Sequence, residues 1–347
     1  NNNNGLITIT TYPTMSDEPK NPCHQWVRLE QPRLDSRVVF ANDEFFGAKE
    51  RLIDSADPVF IADKYDDHGK WMDGWESRRK RGPGHDFCII KLGIPGVIRG
   101  LNIDTSHFTG NYPPEASVDA CNSEDLVPED VEWHALTGRV ELGPDSHHHL
   151  SVDNENAYSH VRLSIYPDGG VARLRICGEV TPDFSRLEEN ARIDLLALEN
   201  GGRAVLCNDE HFGSMHNLNV AGRGINMGDG WETARRRRPG NDWVILRLGH
   251  CGIVDEIEID TAHFKGNYPD SVIVQAALAA EVAFDELAEA SKDWKTLLPE
   301  QNLLADQRHV FTDEIESLGA ITHLRLSIFP DGGVSRLRVN GRLTDTS

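Results

Sequence analysis

An all-β fold in two tandem copies is what this 347-residue sequence predicts. Three observations carry that expectation. Three landmarks recur in the same order, roughly 160 residues apart. The apolar runs inside them are short, β-branched or alternating with period two. Gly, Pro, Asn and Asp separate those runs.

The first landmark is NDEFFG at 42–47, repeated as NDEHFG at 208–213. The second starts with DGWESRRKRGPGHDF at 73–87 and runs to Pro113; its copy starts with DGWETARRRRPGNDW at 229–243 and runs to Pro269. These segments align without a gap over 41 positions, of which 22 are identical, so chance is excluded. The third is HVRLSIYPDGGVARLRICG at 160–178 against HLRLSIFPDGGVSRLRVNG at 323–341. A unit of this length exceeds the roughly 20–50 residues of a solenoid repeat, so each copy is a whole domain. The expected organisation is an N-terminal tail at 1–22, a first repeat at 23–180, a linker near Thr181–Glu189 and a second repeat at 190–347.

Within each copy, FCIIKLG and WVILRLG read as buried strands, and GLNIDT and EIEIDT as alternating ones. Many short strands divided by turn residues suggest a sandwich or jelly roll. In RLSIYPDGGVARLRI, two alternating runs flank Pro-Asp-Gly-Gly, which predicts a hairpin. AALAAEVAFDELAEA at 276–290 predicts a helix, a local addition where the first copy has ACNSEDLVPEDVE.

A net charge of −21, from 56 acidic and 35 basic residues, argues against nucleic acid and against an anionic membrane surface as partner. No apolar run approaches the ~20 residues of a membrane span. The start NNNNGLITIT has neither the basic end nor the apolar stretch of a secretory signal, so a cytoplasmic setting is expected. The six cysteines form no CxxC pair. In the aligned copies Cys88 faces Val244, Cys177 faces Val339 and Cys251 faces Pro95. The expectation is therefore six reduced cysteines acting as small buried hydrophobes.

The repeated polar residues carry the chemistry. Asp73-Gly74-Trp75-Glu76 and Asp229-Gly230-Trp231-Glu232 keep two carboxylates around a tryptophan. They read either as a structural loop or as a pocket wall with acid–base groups. Arg79 and Arg81 align with Arg235 and Arg237. In an extended segment, residues two apart share a face, and two guanidinium forks suit a small carboxylate. His107 and His263 end the IDT(S/A)H strands and could shuttle a proton. Asn111 and Asn267 follow in HFTGNYP and HFKGNYP. Phe108, Tyr112, Phe264 and Tyr268 read as structural. His147-His148-His149 reads as an exposed loop rather than a metal cluster, since consecutive side chains diverge. No HExxH, Gly-x-Ser-x-Gly or phosphate-binding glycine loop occurs.

Together, the doubled DGWE, IDT(S/A)HF(T/K)GNYP and PDGGV(A/S)RLR motifs resemble the allantoicase family over about residues 37–343. The resemblance implies two jelly-roll (galactose-binding-like) β-sandwich repeats. It also implies hydrolysis of allantoate to ureidoglycolate and urea in purine degradation. A divalent metal, manganese for choice, is its candidate cofactor and a homo-oligomer its candidate assembly. On that chemistry the arginine pairs would hold the substrate carboxylate and Asn111 and Asn267 its ureido groups. Glu76, His107, Glu232 and His263 would move protons, with Asp73, Trp75, Asp229 and Trp231 lining the site. Two other readings stand beside it: a non-catalytic jelly-roll ligand-binding module, and a hydrolase of a related ureido or guanidino acid.

Overall fold

The computed structural model describes residues 21, 23 and 25–344. The tail expected at 1–22 lies, but for residue 21, outside the described residues.

Each copy is a jelly roll organised by one 19-residue strand, Asp86–Asp104 in the first repeat and Asp242–Asp260 in the second. These strands join the two apolar runs that the sequence marks as separate. The first half of Asp86–Asp104 pairs antiparallel with Arg37–Ala41 and Ala157–Tyr166. Its second half pairs with His147–Ser151 and Arg173–Val180. Glu115–Cys121 extends the first sheet and Val27–Arg28 the second. One strand thus belongs to both layers. It turns the corner near Gly93–Gly96, where its register with Ala157–Tyr166 slips. A side chain cannot fit there: a Cβ on Gly93 would stand 1.6 Å from the Leu34 carbonyl oxygen, and one on Gly249 1.8 Å from that of Asn200.

Burial follows from the alternation. The first core gathers Ile90, Ile103, Val161, Leu163, Leu174 and Ile176; the second gathers Leu246, Ile257, Ile259, Leu324, Leu326 and Leu337. Leu198 and Val220 of the second repeat pack into the first core. Charge reinforces that junction. Arg33 pairs with Asp229 at 2.6 Å. Glu179 faces Arg99 of its own repeat, and also Arg203 at 3.5 Å and Arg247 at 3.9 Å from the other.

Several expectations are corrected. Pro-Asp-Gly-Gly is a crossover and not a hairpin, because the strands flanking it lie in different sheets. Asp86 N–H donates to the Pro167 carbonyl and Ala172 N–H to that of Asp104. The turn therefore bridges the two ends of the long strand, and turn chemistry alone cannot distinguish this from a hairpin. The stretch 276–290 is not a helix. Ala276 and Ala277 finish the strand Ser271–Ala277, and only Leu287–Ala290 is α-helical. Val282, Phe284 and Leu287 instead pack with Val205 and Ile245, so contact with the sheet overrides helix propensity. The histidine trio lies in the strand His147–Ser151 rather than in a loop. His148 uses both ring nitrogens on backbone groups of Ile103 and Gly143.

The cysteine expectation also fails in part. Cys23 and Cys177 form a disulfide across 154 residues, with Cα atoms 5.2 Å apart. The alignment of copies could not reveal it, because Cys23 precedes the duplicated motifs. Cys88, Cys121 and Cys251 are free and buried, as expected, and Cys207 is free and half-buried.

Two predictions arise. Thiol titration of the unfolded chain without reductant should count four reactive cysteines, and with reductant six. The second concerns His323, which is 4 % exposed. Burial, aided by the charges of Arg247 and Arg203, pushes its pKa down to about 4. The unfolded chain then binds more protons between pH ~6.5 and ~4, so stability is full above that window and falls as pH drops through it. The His323 contribution amounts to roughly 3 kcal/mol. Urea titrations at the two ends of the window should show His323→Leu losing that share of the pH dependence.

Candidate active site

The three repeated landmarks meet at one end of each sandwich. Trp75–Glu76 pairs with Gly170–Val171, and Trp231–Glu232 with Gly333–Val334. Gly170 N–H donates to the Asn111 carbonyl at 2.7 Å, and Gly333 N–H to that of Asn267 at 2.8 Å. The ring of Phe108 lies against Gly170, where a Cβ would be 2.0 Å from it, and Phe264 sits likewise on Gly333. The structural reading of these two aromatics fits that packing.

Glu76 and Asn111 come together here: Asn111 Nδ2 donates to Glu76 Oε1 at 2.8 Å. Asn267 donates in the same way to Glu232. Burial pushes the Glu76 pKa up, the Asn111 hydrogen bond works against that, and the negative charge of Asp66 adds to the rise. His107 and His263 share their loops with these asparagines. Both sit at positive φ, 68° and 72°, a conformation uncommon for residues other than glycine. Asp145 and Asp306 stabilise it, each accepting the histidine backbone N–H at 2.7 Å. His107 Nε2 contacts the Pro58 carbonyl at 3.2 Å and His263 Nε2 that of Gly224 at 2.7 Å. A carbonyl only accepts, so Nε2 carries the hydrogen and Nδ1 keeps a lone pair in the neutral ring.

The other expected site residues are placed elsewhere. Trp75 and Trp231 are fully buried and donate their indole N–H to the Asp43 and Asp209 carbonyls. They belong to the core and offer no surface to a ligand, which corrects the pocket-wall expectation. Asp73 and Asp229 are engaged by Arg173 and Arg336, each pair with a contact of 2.9 or 2.8 Å. Burial opposes ionisation of Asp73, but its hydrogen bonds from Arg173 and Val59 outweigh that and hold its pKa below the usual value.

Arg79, Arg81, Arg235 and Arg237 are exposed. The alternation holds: Lys80 and Arg236 between them reach the buried Asp86 and Asp242. Arg235 and Arg237 line an open cleft of about 570 Å³ with Asn208 and Asp209, and its lining includes none of Glu232, His263 and Asn267. In the second copy the cleft lined by the arginine pair is therefore separate from the Glu232–Asn267 pair.

Sequence reading missed Arg173 and Arg336, Asp145 and Asp306, and Arg33. The first four recur at aligned positions, a signal that was present. Arg33 has no such signal, since it acts across the junction. The reading also missed a cover over the first site. The loop from Gly47 to Asp73, about ten residues longer than its counterpart from Gly213 to Asp229, forms the hairpin Tyr65–Asp66 with Gly69–Lys70. Its His68 stacks on Phe45 at 4.1 Å, and Phe60 lies 5.9 Å from His107. A divalent metal has no cradle at either site: among the described residues, no three His, Cys, Asp or Glu stand close enough to hold one.

Comparison with known proteins identifies the repeat and the fold. The allantoicase repeat matches the chain twice, at residues 27–181 and 193–344. The chain is 53% identical to a probable allantoicase of Photobacterium profundum, over 91% of this chain and 96% of the relative. It is 50% identical to probable allantoicase 2 of Burkholderia pseudomallei, over 94% and 98% respectively. The crystal structure of allantoicase from Saccharomyces cerevisiae superposes with a TM-score of 0.77 at 36% identity, covering 92% of this chain and 93% of that one. With the doubled repeat, the shared fold and half or more of the aligned residues identical to such relatives, the chain belongs to the allantoicase family.

Proposed function

We infer that this protein hydrolyses allantoate to ureidoglycolate and urea in purine degradation, as a C–N hydrolase of the amidinohydrolase type. The observation that carries the reading is the paired carboxyl and amide, Glu76 with Asn111, on the loop that also carries His107, whose Nε2 is turned to the Pro58 carbonyl. Allantoate carries two ureido groups and a carboxylate on one carbon. Water adds its oxygen to that carbon while the bond to one ureido nitrogen breaks. The nitrogen takes up a proton to leave as urea, and the water gives one up.

The environments suggest who does which. Burial keeps Glu76 protonated to higher pH than an ordinary carboxylic acid, which suits the donor to the leaving nitrogen. The Nδ1 lone pair of His107 suits the group that receives the proton from water. Glu232 and His263 repeat the arrangement in the second copy. Asn111 and Asn267 hold the carboxyl groups in place and present amides to the ureido groups. Arg79 and Arg81, or Arg235 and Arg237, would draw the anionic substrate toward the site. The net charge of −21 supports a small-molecule partner over nucleic acid. A cytoplasmic setting and a homo-oligomer complete the reading.

The direct test is urea release from allantoate by the purified protein, with ureidoglycolate and guanidino acids as competing substrates and with EDTA and manganese arms. A donor with a raised pKa sets the alkaline limb of the kcat/KM profile, where activity falls as pH rises and Glu76 loses its proton. Glu76→Gln should lower turnover about 10²–10⁴-fold with the fold intact. Wild-type rates in both Glu76→Gln and Glu232→Gln would overturn the assignment. Asp73→Asn should behave oppositely in kind. It leaves the guanidinium of Arg173, 1 % exposed, without its counter-charge, and should cost about 3–5 kcal/mol of stability in denaturant titration.

A further inference from the structure

Between the two repeats lies a cavity of about 400 Å³, within the size range of small-molecule sites. Its wall draws on both copies: Trp26, Arg28 and Arg33 from the first, Leu198, Arg203 and Val220 from the second. Three arginines line it, and no aspartate or glutamate does. In a chain with 56 acidic residues against 35 basic, that is a marked local reversal of sign. The acids that partner these arginines, Glu30, Asp229 and Glu179, all stand outside the lining.

The guanidinium groups also have unspent donors. Arg203 is 8 % exposed, and its Nε–H has no hydrogen-bond partner among the described residues. The same holds for Arg28 Nη2. Leaving a buried donor unpaired is costly, of the order of 1–3 kcal/mol, and such groups call for an explanation. Burial, with the charge of Arg247, pushes the Arg203 pKa down only to about 10, so it remains a cation at neutral pH. Its guanidinium lies 4.6 Å from the ring of Trp26. The rest of the wall is mixed, with Leu198 and Val220 apolar and Ser214 and Asn217 polar.

We propose that this cavity binds a small organic carboxylate, at a site separate from Glu76 and Glu232. The anionic end would face the guanidinium groups of Arg28, Arg33 and Arg203 that line the wall. The carbon body would lie against Trp26, Leu198 and Val220. An inorganic anion would satisfy the cations but leave the apolar wall without a partner, so the lining favours an organic acid. Because the wall comes from both repeats, an occupant would bind them to each other.

The test is calorimetric titration with malonate and, separately, with inorganic phosphate. The expected result is one malonate per chain, with phosphate at least about tenfold weaker. Arg203→Gln and Arg28→Gln should each weaken malonate by about tenfold or more, whereas Glu76→Gln should leave it unchanged. Arg203 also pairs with Glu179, so Arg28→Gln, at the half-exposed position, decides the matter if Arg203→Gln fails to fold. No uptake of malonate by folded wild-type protein would overturn the proposal. So would phosphate binding as tightly, or affinity unchanged in Arg28→Gln. Because the readout is binding and not turnover, its outcome is independent of the reaction inferred above.

Discussion

A buried guanidinium under each loop is the constraint on which the rest depends. Arg173 joins the end of the crossover to Asp73, and Arg336 joins its own crossover to Asp229. These arginines also donate to backbone carbonyls, among them Asp73 O and Ala172 O in the first copy. A charge with 1 % exposure is tolerable only when paired and fully hydrogen-bonded. The DGWE loop is therefore held at one height above the sheet, and Glu76, three residues beyond Asp73, inherits that position. The repeated aspartates of the motif thus serve geometry.

The two copies solve the same problem with different parts. In the first, Pro58 and Val59 of the longer loop supply the carbonyl for His107 and the N–H for Asp73. In the second, the shorter loop does it with Gly224 and Ile225. Arg51 donates to the Met72 carbonyl; at the aligned position Asn217 donates to those of Gly228 and Gly230. What differs is the cover. The first copy spends its additional residues on a hairpin whose Asp66 lies near enough for its charge to act on Glu76. The duplicated framework carries two carboxyl–amide pairs in unlike surroundings.

Much of this was legible in the residues. The β pattern, the two-domain duplication and the repeated polar positions Glu76, Asn111 and His107 all follow from periodicity and from what both copies retain. The remainder depends on contacts that sequence does not encode locally. Pro-Asp-Gly-Gly specifies a reversal, but which strands it joins is decided by the long strand turning the corner at Gly93. The alanines at 276–290 favour a helix only until Phe284 and Leu287 find the sheet. Trp75 looked like a pocket wall because it lies between two carboxylates. Its burial comes from strand alternation in a two-residue ladder too short to recognise. Repetition itself misled in one respect, since comparing the copies could not show the Cys23–Cys177 bridge, which belongs to one copy alone.

Arg33 shows what duplication can become with time. It stands in the first repeat, yet it neutralises Asp229 in the second and also reaches Asn217 there. Once a domain delegates part of its electrostatic balance to its neighbour, the two cease to be interchangeable copies. Separating them would take from Asp229 one of its two arginines and from Glu179 its contacts with Arg203 and Arg247. The junction makes one electrostatic unit of two repeats that share a fold.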